Sequence, residues 1–134
     1  MNNTTTQNSV SDGNYWKILT FRYGFDIRNP SKEDLERAAT ELFQETLPEM
    51  TEDDYKDHPA AWLRYGLDDG PMFVLEVHRS GTVILERWAD TDYVRELYPP
   101  KQWSVHNATD VVRLWQMLGE GKISELEREG AVLR

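Results

Sequence analysis

The sequence predicts an α+β fold: a curved antiparallel β-sheet of roughly four to five strands with two amphipathic helices packed on one face. Three observations predict it. Residues 72–88 hold two β-rich runs separated by Ser80-Gly81, a hairpin signature. Residues 31–43 and 107–118 carry apolar side chains at helical spacing, each run opened by a residue type that caps helices. The order strand, helix, antiparallel strands, helix then lets both helices cover one face and leaves the other partly open.

The elements follow in order. Residues 1–13 contain only Met1 and Val10 as apolar side chains, too few to offset the entropy of ordering, so a flexible tail is expected there and a single domain over 14–134. Tyr15 to Phe25 alternates, with Tyr15, Leu19, Phe21, Tyr23 and Phe25 on one parity, and reads as one strand stopped by Asn29-Pro30. Ser31-Lys32-Glu33-Asp34 resembles a capping box with Asp34 in the place usually held by Glu. Leu35, Ala38, Ala39, Leu42 and Phe43 form the stripe of the helix that follows, and Pro48 ends it. Trp62 to Leu67 is a strand, and Asp68-Asp69-Gly70-Pro71 a turn. With Ser80 and Gly81 as a two-residue turn, Val77 faces Ile84, Leu75 faces Glu86 and Phe73 faces Trp88. Phe73, Leu75, Val77, Ile84 and Trp88 would then line the core, with Glu76 diagonal to Arg87 on the other side. Residues 93–98 fit a short helix or an edge strand, either one ended by Pro99-Pro100. Asn107 caps a second helix carrying Val111, Leu114, Trp115 and Leu118, stopped by Gly119 and Gly121, and residues 122–129 add a final helical turn or two.

Composition bounds the function. The 134 residues carry 24 acids against 15 Lys+Arg, a formal charge of −9. Phosphate binding needs clustered cations, so nucleic acid and anionic lipid are poor partners. No apolar run is long enough to span a membrane and no signal peptide is visible, which makes a cytoplasmic protein the plain expectation. The absence of Cys removes disulfides, thiolate metal sites and Cys nucleophiles.

Candidate chemistry is sparse. His58, His78 and His106 are far apart and in no ligand spacing, so no metal or cofactor is expected. No nucleophile elbow or phosphate loop is present, and Gly119-Glu120-Gly121-Lys122 puts a carboxylate where an anion would sit. Glu86, placed by the hairpin register among apolar neighbours, could serve with Arg87 and His78 in a pocket as a general acid or base; the alternative is a marginal Glu–Arg pair. The strongest feature is the acidic stretch Glu41 to Asp57, where Glu41, Glu45, Glu49, Glu52, Asp53, Asp54 and Asp57 face Lys56 alone. Part of it lies at a helix C-terminus, where acids are disfavoured. Glu45, Glu49, Glu52, Asp53, Asp54 and Asp57, with Tyr55 as an aromatic anchor, form a candidate docking arc for a basic protein; the alternative is a solubilising loop. Trp16, Trp88 and Trp115 are expected in the core, while Trp62, Tyr65, Tyr93, Tyr98 and Trp103 are left for the rim or the open face.

A small, acidic, Cys-free chain with an early amphipathic helix, a β-meander and a late helix reading Val111-Val112-Arg113-Leu114-Trp115-Gln116-Met117-Leu118 resembles bacterial immunity proteins, the cognate inhibitors of polymorphic and contact-dependent toxins. The resemblance spans residues 31–125 and lies in element order and style. It implies a non-catalytic cytoplasmic protein that neutralises its toxin by direct binding, with a basic nuclease toxin as the partner suited to an acidic surface. It carries over no functional residues, because those families bind through divergent surfaces. Two other readings stay open: a small-ligand module or small enzyme with a pocket between helix and sheet, and an adaptor or structural interaction protein.

Overall fold

A computed structural model describes residues 15–44, 60–68 and 70–133. The strands are β1 (Tyr15–Thr20), β2 (Asp26–Arg28), β3 (Ala60–Leu67), β4 (Met72–His78), β5 (Thr82–Trp88) and β6 (Glu96–Ser104). The helices are α1 (Lys32–Gln44), α2 (Ala108–Gly119) and α3 (Ile123–Leu133). Among the described residues the strands form one open, six-stranded, wholly antiparallel sheet in the order β2-β1-β3-β4-β5-β6. The α+β class is as expected, with more strands and one more helix than the sequence patterns resolve.

Odd-numbered positions of the first, third, fourth and fifth strands point to the helices. Leu19, Leu63, Leu75, Val77, Val83 and Leu85 are buried there against Leu35, Ala38, Ala39 and Leu42 of α1. Val111, Leu114, Trp115 and Leu118 of α2 and Leu126 of α3 close the same core. Burying each of these Val and Leu side chains contributes about 1.5–3 kcal/mol, which is what holds the helices on this face.

The capping box at Ser31 is present. Asp34 N–H donates to Ser31 Oγ (3.1 Å) and Ser31 N–H to Asp34 Oδ2 (2.9 Å); the Ser31 amide, foremost, holds that carboxyl below its usual range. Asn107 caps α2 by accepting from the Asp110 amide at 2.9 Å. Its C-terminus closes with Gly121 N–H to Leu118 O and Lys122 N–H to Met117 O, the paired bonds of a Schellman ending.

Three expectations are corrected. Residues 15–25 do not form one strand: Phe21 and Gly24 close a tight turn (Gly24 N–H to Phe21 O, 2.8 Å), and β2 folds back on β1. The β4–β5 hairpin is one residue out from the expected register, pairing Val77 with Val83, Leu75 with Leu85 and Phe73 with Arg87. The cause is the turn. Gly81 N–H donates to His78 O, and Gly81 stands at φ +94, so the loop has three residues, a turn closed by a left-handed glycine, instead of two. A Cβ on Gly81 would lie 2.6 Å from Val105 O, which excludes larger residues. The added residue turns β5 over: Ile84, Glu86 and Trp88 leave the core side, and Arg87 enters it, its guanidinium over the rings of Phe73 (5.3 Å) and Tyr98 (5.8 Å). The expected Glu76–Arg87 diagonal is lost, since the two lie on opposite faces. Finally, Pro99-Pro100 does not end β6. The register shifts between Leu85 and Arg87, leaving both prolines in a bulge opposite Glu86 on an edge strand, where a missing N–H costs no ladder bond.

Candidate functional site: the open face of the sheet

Even-numbered residues of the same strands face away from the helices and, among the described residues, no helix covers them. The cross-strand rows follow from the register: Thr20, Trp62, Glu76, Ile84 and Gln102; Ile18, Arg64, Val74 and Glu86; Trp16, Gly66, Met72, Trp88 and Glu96. Trp16, Trp62, Trp88, Ile18 and Ile84 are half-buried, a strip of large side chains that water only partly reaches. Trp16 and Trp88, expected in the core, therefore belong to this face, while Trp103 and Tyr65 join Trp115 in the core.

Charges punctuate the strip. Arg64 stands between Ile18 and Val74 and lies 3.8 Å from Asp26, an ion pair half open to water and so of small energetic weight. Its Nε is buried with no hydrogen-bond partner among the described residues. Glu86 Oε1 accepts from Trp88 Nε1–H at 3.0 Å, which orients the indole along the strand. Glu76 is bonded to His78 on the same strand.

The β5–β6 loop, residues 89–95, bends over this face. Asp90 organises it: its carboxylate accepts from the backbone N–H groups of Asp92 (2.9 Å), Val94 (3.0 Å) and Arg95 (3.1 Å). Those donors, the Val94 amide foremost, hold the Asp90 carboxyl below its usual range. Tyr93, at φ +60, is a side chain in the left-handed region, where L-residues are strained. Its ring stands edge-on to Trp88 at 5.1 Å. Burial pushes the Tyr93 phenol up; Arg64, which hydrogen-bonds it, pulls it down, and Glu86 and Glu76 push it up again. Arg64, Glu76, Glu86, Trp88 and Tyr93 therefore come together on this face, around the row that holds the buried Val74.

Because the folded-state pKa of Asp90 is depressed, its ordering of the loop is complete above the ordinary aspartate range and is lost as pH falls through the lowered value. Amide exchange at Asp92, Val94 and Arg95, corrected for the intrinsic pH dependence of exchange, is expected to lose protection over that acidic interval in wild type. Asp90→Ala should show the same loss at neutral pH. Equal protection in both proteins would remove Asp90 from its role.

The sequence-predicted residues distribute unevenly. Glu86 and His78 lie on the open face, but Arg87 is on the helix side, so the expected Glu86–Arg87–His78 pocket does not form. One pocket, of about 630 Å³, lies where the ends of β1 and β3 meet the end of α2 and is lined by Tyr15, Trp16, Lys17, Tyr65, Gly119 and Gly121, with Lys17 Nζ donating to Gly119 O. Among the described residues no three His, Asp or Glu side chains converge as metal ligands, and no helix is long and apolar enough to cross a membrane. The acidic docking arc, Glu45, Glu49, Glu52, Asp53, Asp54, Tyr55 and Asp57, lies outside the described residues, as do the 1–13 tail and Pro48. The helix that leads into it ends on cations: Arg22 and Arg79 each donate an Nη1–H to Leu42 O, at 3.3 and 3.1 Å. Those guanidiniums offset the cost of acids at a helix C-terminus.

Sequence reasoning missed that Tyr93, with Arg64 beside it, comes to lie near Glu86. The signal available was the Asp90-Thr91-Asp92 stretch, whose short acidic side chains favour a loop closed on its own amides. No family model, curated protein or solved structure matches the chain.

Proposed function

We propose that this chain is a non-catalytic binding protein of the immunity type, which neutralises a basic cognate toxin by direct contact. The observation that carries the reading is the sheet face that, among the described residues, no helix covers, bearing Trp16, Trp62 and Trp88 half-buried. Half-exposed tryptophans on a rigid sheet are the residues that dominate protein–protein binding energy, and a chain of charge −9 is complementary to a cationic partner. The acidic arc, Glu45 to Asp57 with Tyr55, steers association in this reading, and the partner's nucleic-acid-binding surface is what it would occlude.

The test is capture from lysate of the source cell at low and high salt, with the retained protein identified and co-expressed. Retention of one basic protein whose toxicity is relieved by this chain is the expected result; no relief by stoichiometric co-expression would sink the reading. Reversing Glu49, Glu52 and Asp53 to Lys is expected to slow association about tenfold and flatten its salt dependence, measured by stopped-flow. An unchanged rate would reduce the arc to a solubilising surface.

The 630 Å³ pocket beside Tyr65 and Lys17 favours the second reading, a small-ligand module, with the ligand held between β1, β3 and the end of α2.

A further inference from the structure

We infer that the partner docks on one corner of the open face, where Trp88, Tyr93 and Val94 stand among Glu76, Glu86, Asp92 and Glu96, and that it places a cationic side chain against the Trp88 ring. The inference rests on the proposed function and adds which surface is used and what chemistry fills it.

Three observations locate the corner. First, the 89–95 loop is ordered by Asp90 and nevertheless displays apolar surface: Val94 is 80 % exposed and Tyr93 44 %. A loop free to collapse would turn these side chains inward; one held by hydrogen bonds from three backbone N–H groups to a single carboxylate presents them in a fixed pose, which lowers the entropic cost of docking. Second, Trp88 is oriented from both sides, by the Glu86 carboxylate through its Nε1–H and by the Tyr93 ring against it. A fixed, half-exposed indole is a preformed seat for a cation.

Third, the charges choose the occupant. Glu76, Glu86, Asp92 and Glu96 surround the corner with Asp90, against Arg64 and Arg95, so the local balance is acidic. A lysine or arginine from the partner meets complementary charge there. A second copy of this chain, itself at −9, would bring like charge to like, and nucleic acid would be repelled. The occupant is therefore a basic protein surface with an apolar neighbour for Val94.

The experiment is an NMR titration of the full 15N-labelled chain with an acetylated hexapeptide alternating arginine and leucine, and with its glutamate–leucine counterpart. The Trp88 indole N–H and the Tyr93 and Val94 amides are expected to shift saturably with the cationic peptide and not with the anionic one, while the buried Trp103 and Trp115 indoles stay in place. Glu76→Gln with Glu86→Gln, two half-exposed positions that leave the fold intact, should weaken the peptide about fivefold or more. Shifts confined to residues 45–57, or spread evenly over the acidic surface, would overturn the corner while leaving the proposed function standing. No binding of either peptide would count against both.

Discussion

Replacing Trp115 by alanine is expected to cost about 3–5 kcal/mol of folding stability, the range for deleting a buried aromatic from a close-packed core. Trp115 is completely buried and packs from α2 onto the middle of the sheet. Its indole Nε1–H donates to Leu75 O at 3.1 Å, on a strand paired on both sides. The alanine variant loses packing around the ring and leaves that carbonyl without its side-chain donor. Trp115→Phe separates the two losses: it keeps most of the volume and forfeits the hydrogen bond, and should cost about 1–3 kcal/mol. For a domain whose whole stability is about 5–15 kcal/mol, the alanine variant stands close to unfolding. Urea midpoints at unchanged m-value measure both, and a loss below about 1 kcal/mol for Trp115→Ala would contradict the packing described.

That Trp115 belongs to the core was legible in the sequence because helical spacing is redundant: Val111, Leu114, Trp115 and Leu118 all point the same way. The capping box at Ser31 and the N-cap at Asn107 were legible for a similar reason, since the cap residue and its distance from the stripe agree. Strand faces have no such redundancy. Whether Ser80-Gly81 closes a two- or a three-residue loop is not written in those two residues, and the choice inverts every side chain of β5. The alternatives are also close in composition. One register buries Ile84 and Trp88 together with Glu86; the other buries Val83 and Leu85 and admits Arg87. The second prevails because Arg87 finds the Phe73 and Tyr98 faces, an arrangement that depends on residues 14 and 11 positions away.

The candidate site was less legible still. Its acidic character could be read from the charge count, but the corner around Trp88 exists only because three rows of the sheet and one loop meet. Arg64 comes from β3, Glu76 from β4, Glu86 and Trp88 from β5, and Tyr93 from the loop that follows. A cross-strand site of this kind leaves no local motif, and the aromatic residues that build it are of the same types that fill cores. The bulge at Pro99-Pro100 was hidden for a different reason: proline is a reliable stop signal in an interior strand and loses that meaning on an edge.

Replacing Gly70 by alanine is expected to have the second-largest effect, and to reach the candidate site from outside it. Gly70 stands at φ +79 in the β3–β4 turn, and a Cβ there would lie 2.2 Å from Ala89 O and 3.1 Å from Asp90 Cα. The obstacle is backbone, so a side-chain rotation cannot relieve it. The 89–95 loop itself would have to move. The left-handed conformation alone costs an alanine about 1–2 kcal/mol, and displacing the loop adds to that. Gly24→Ala supplies the comparison: Gly24 stands at φ +93 with nothing within 4 Å of the added carbon, so it carries the conformational cost without the collision. Gly70→Ala should therefore be the more destabilising of the two by about 1 kcal/mol or more. It alone should shift the amide resonances of residues 90–95 and the Trp88 indole, because Asp90 and Tyr93 are displaced together. If the corner is the docking surface, Gly70→Ala also weakens the arginine–leucine peptide severalfold, although Gly70 itself contributes no side chain to it. Equal costs for the two glycine variants, with the Trp88 resonance unmoved, would show that the β3–β4 turn does not hold the loop in place, and the fixed pose argued for Tyr93 and Val94 would lose one of its supports.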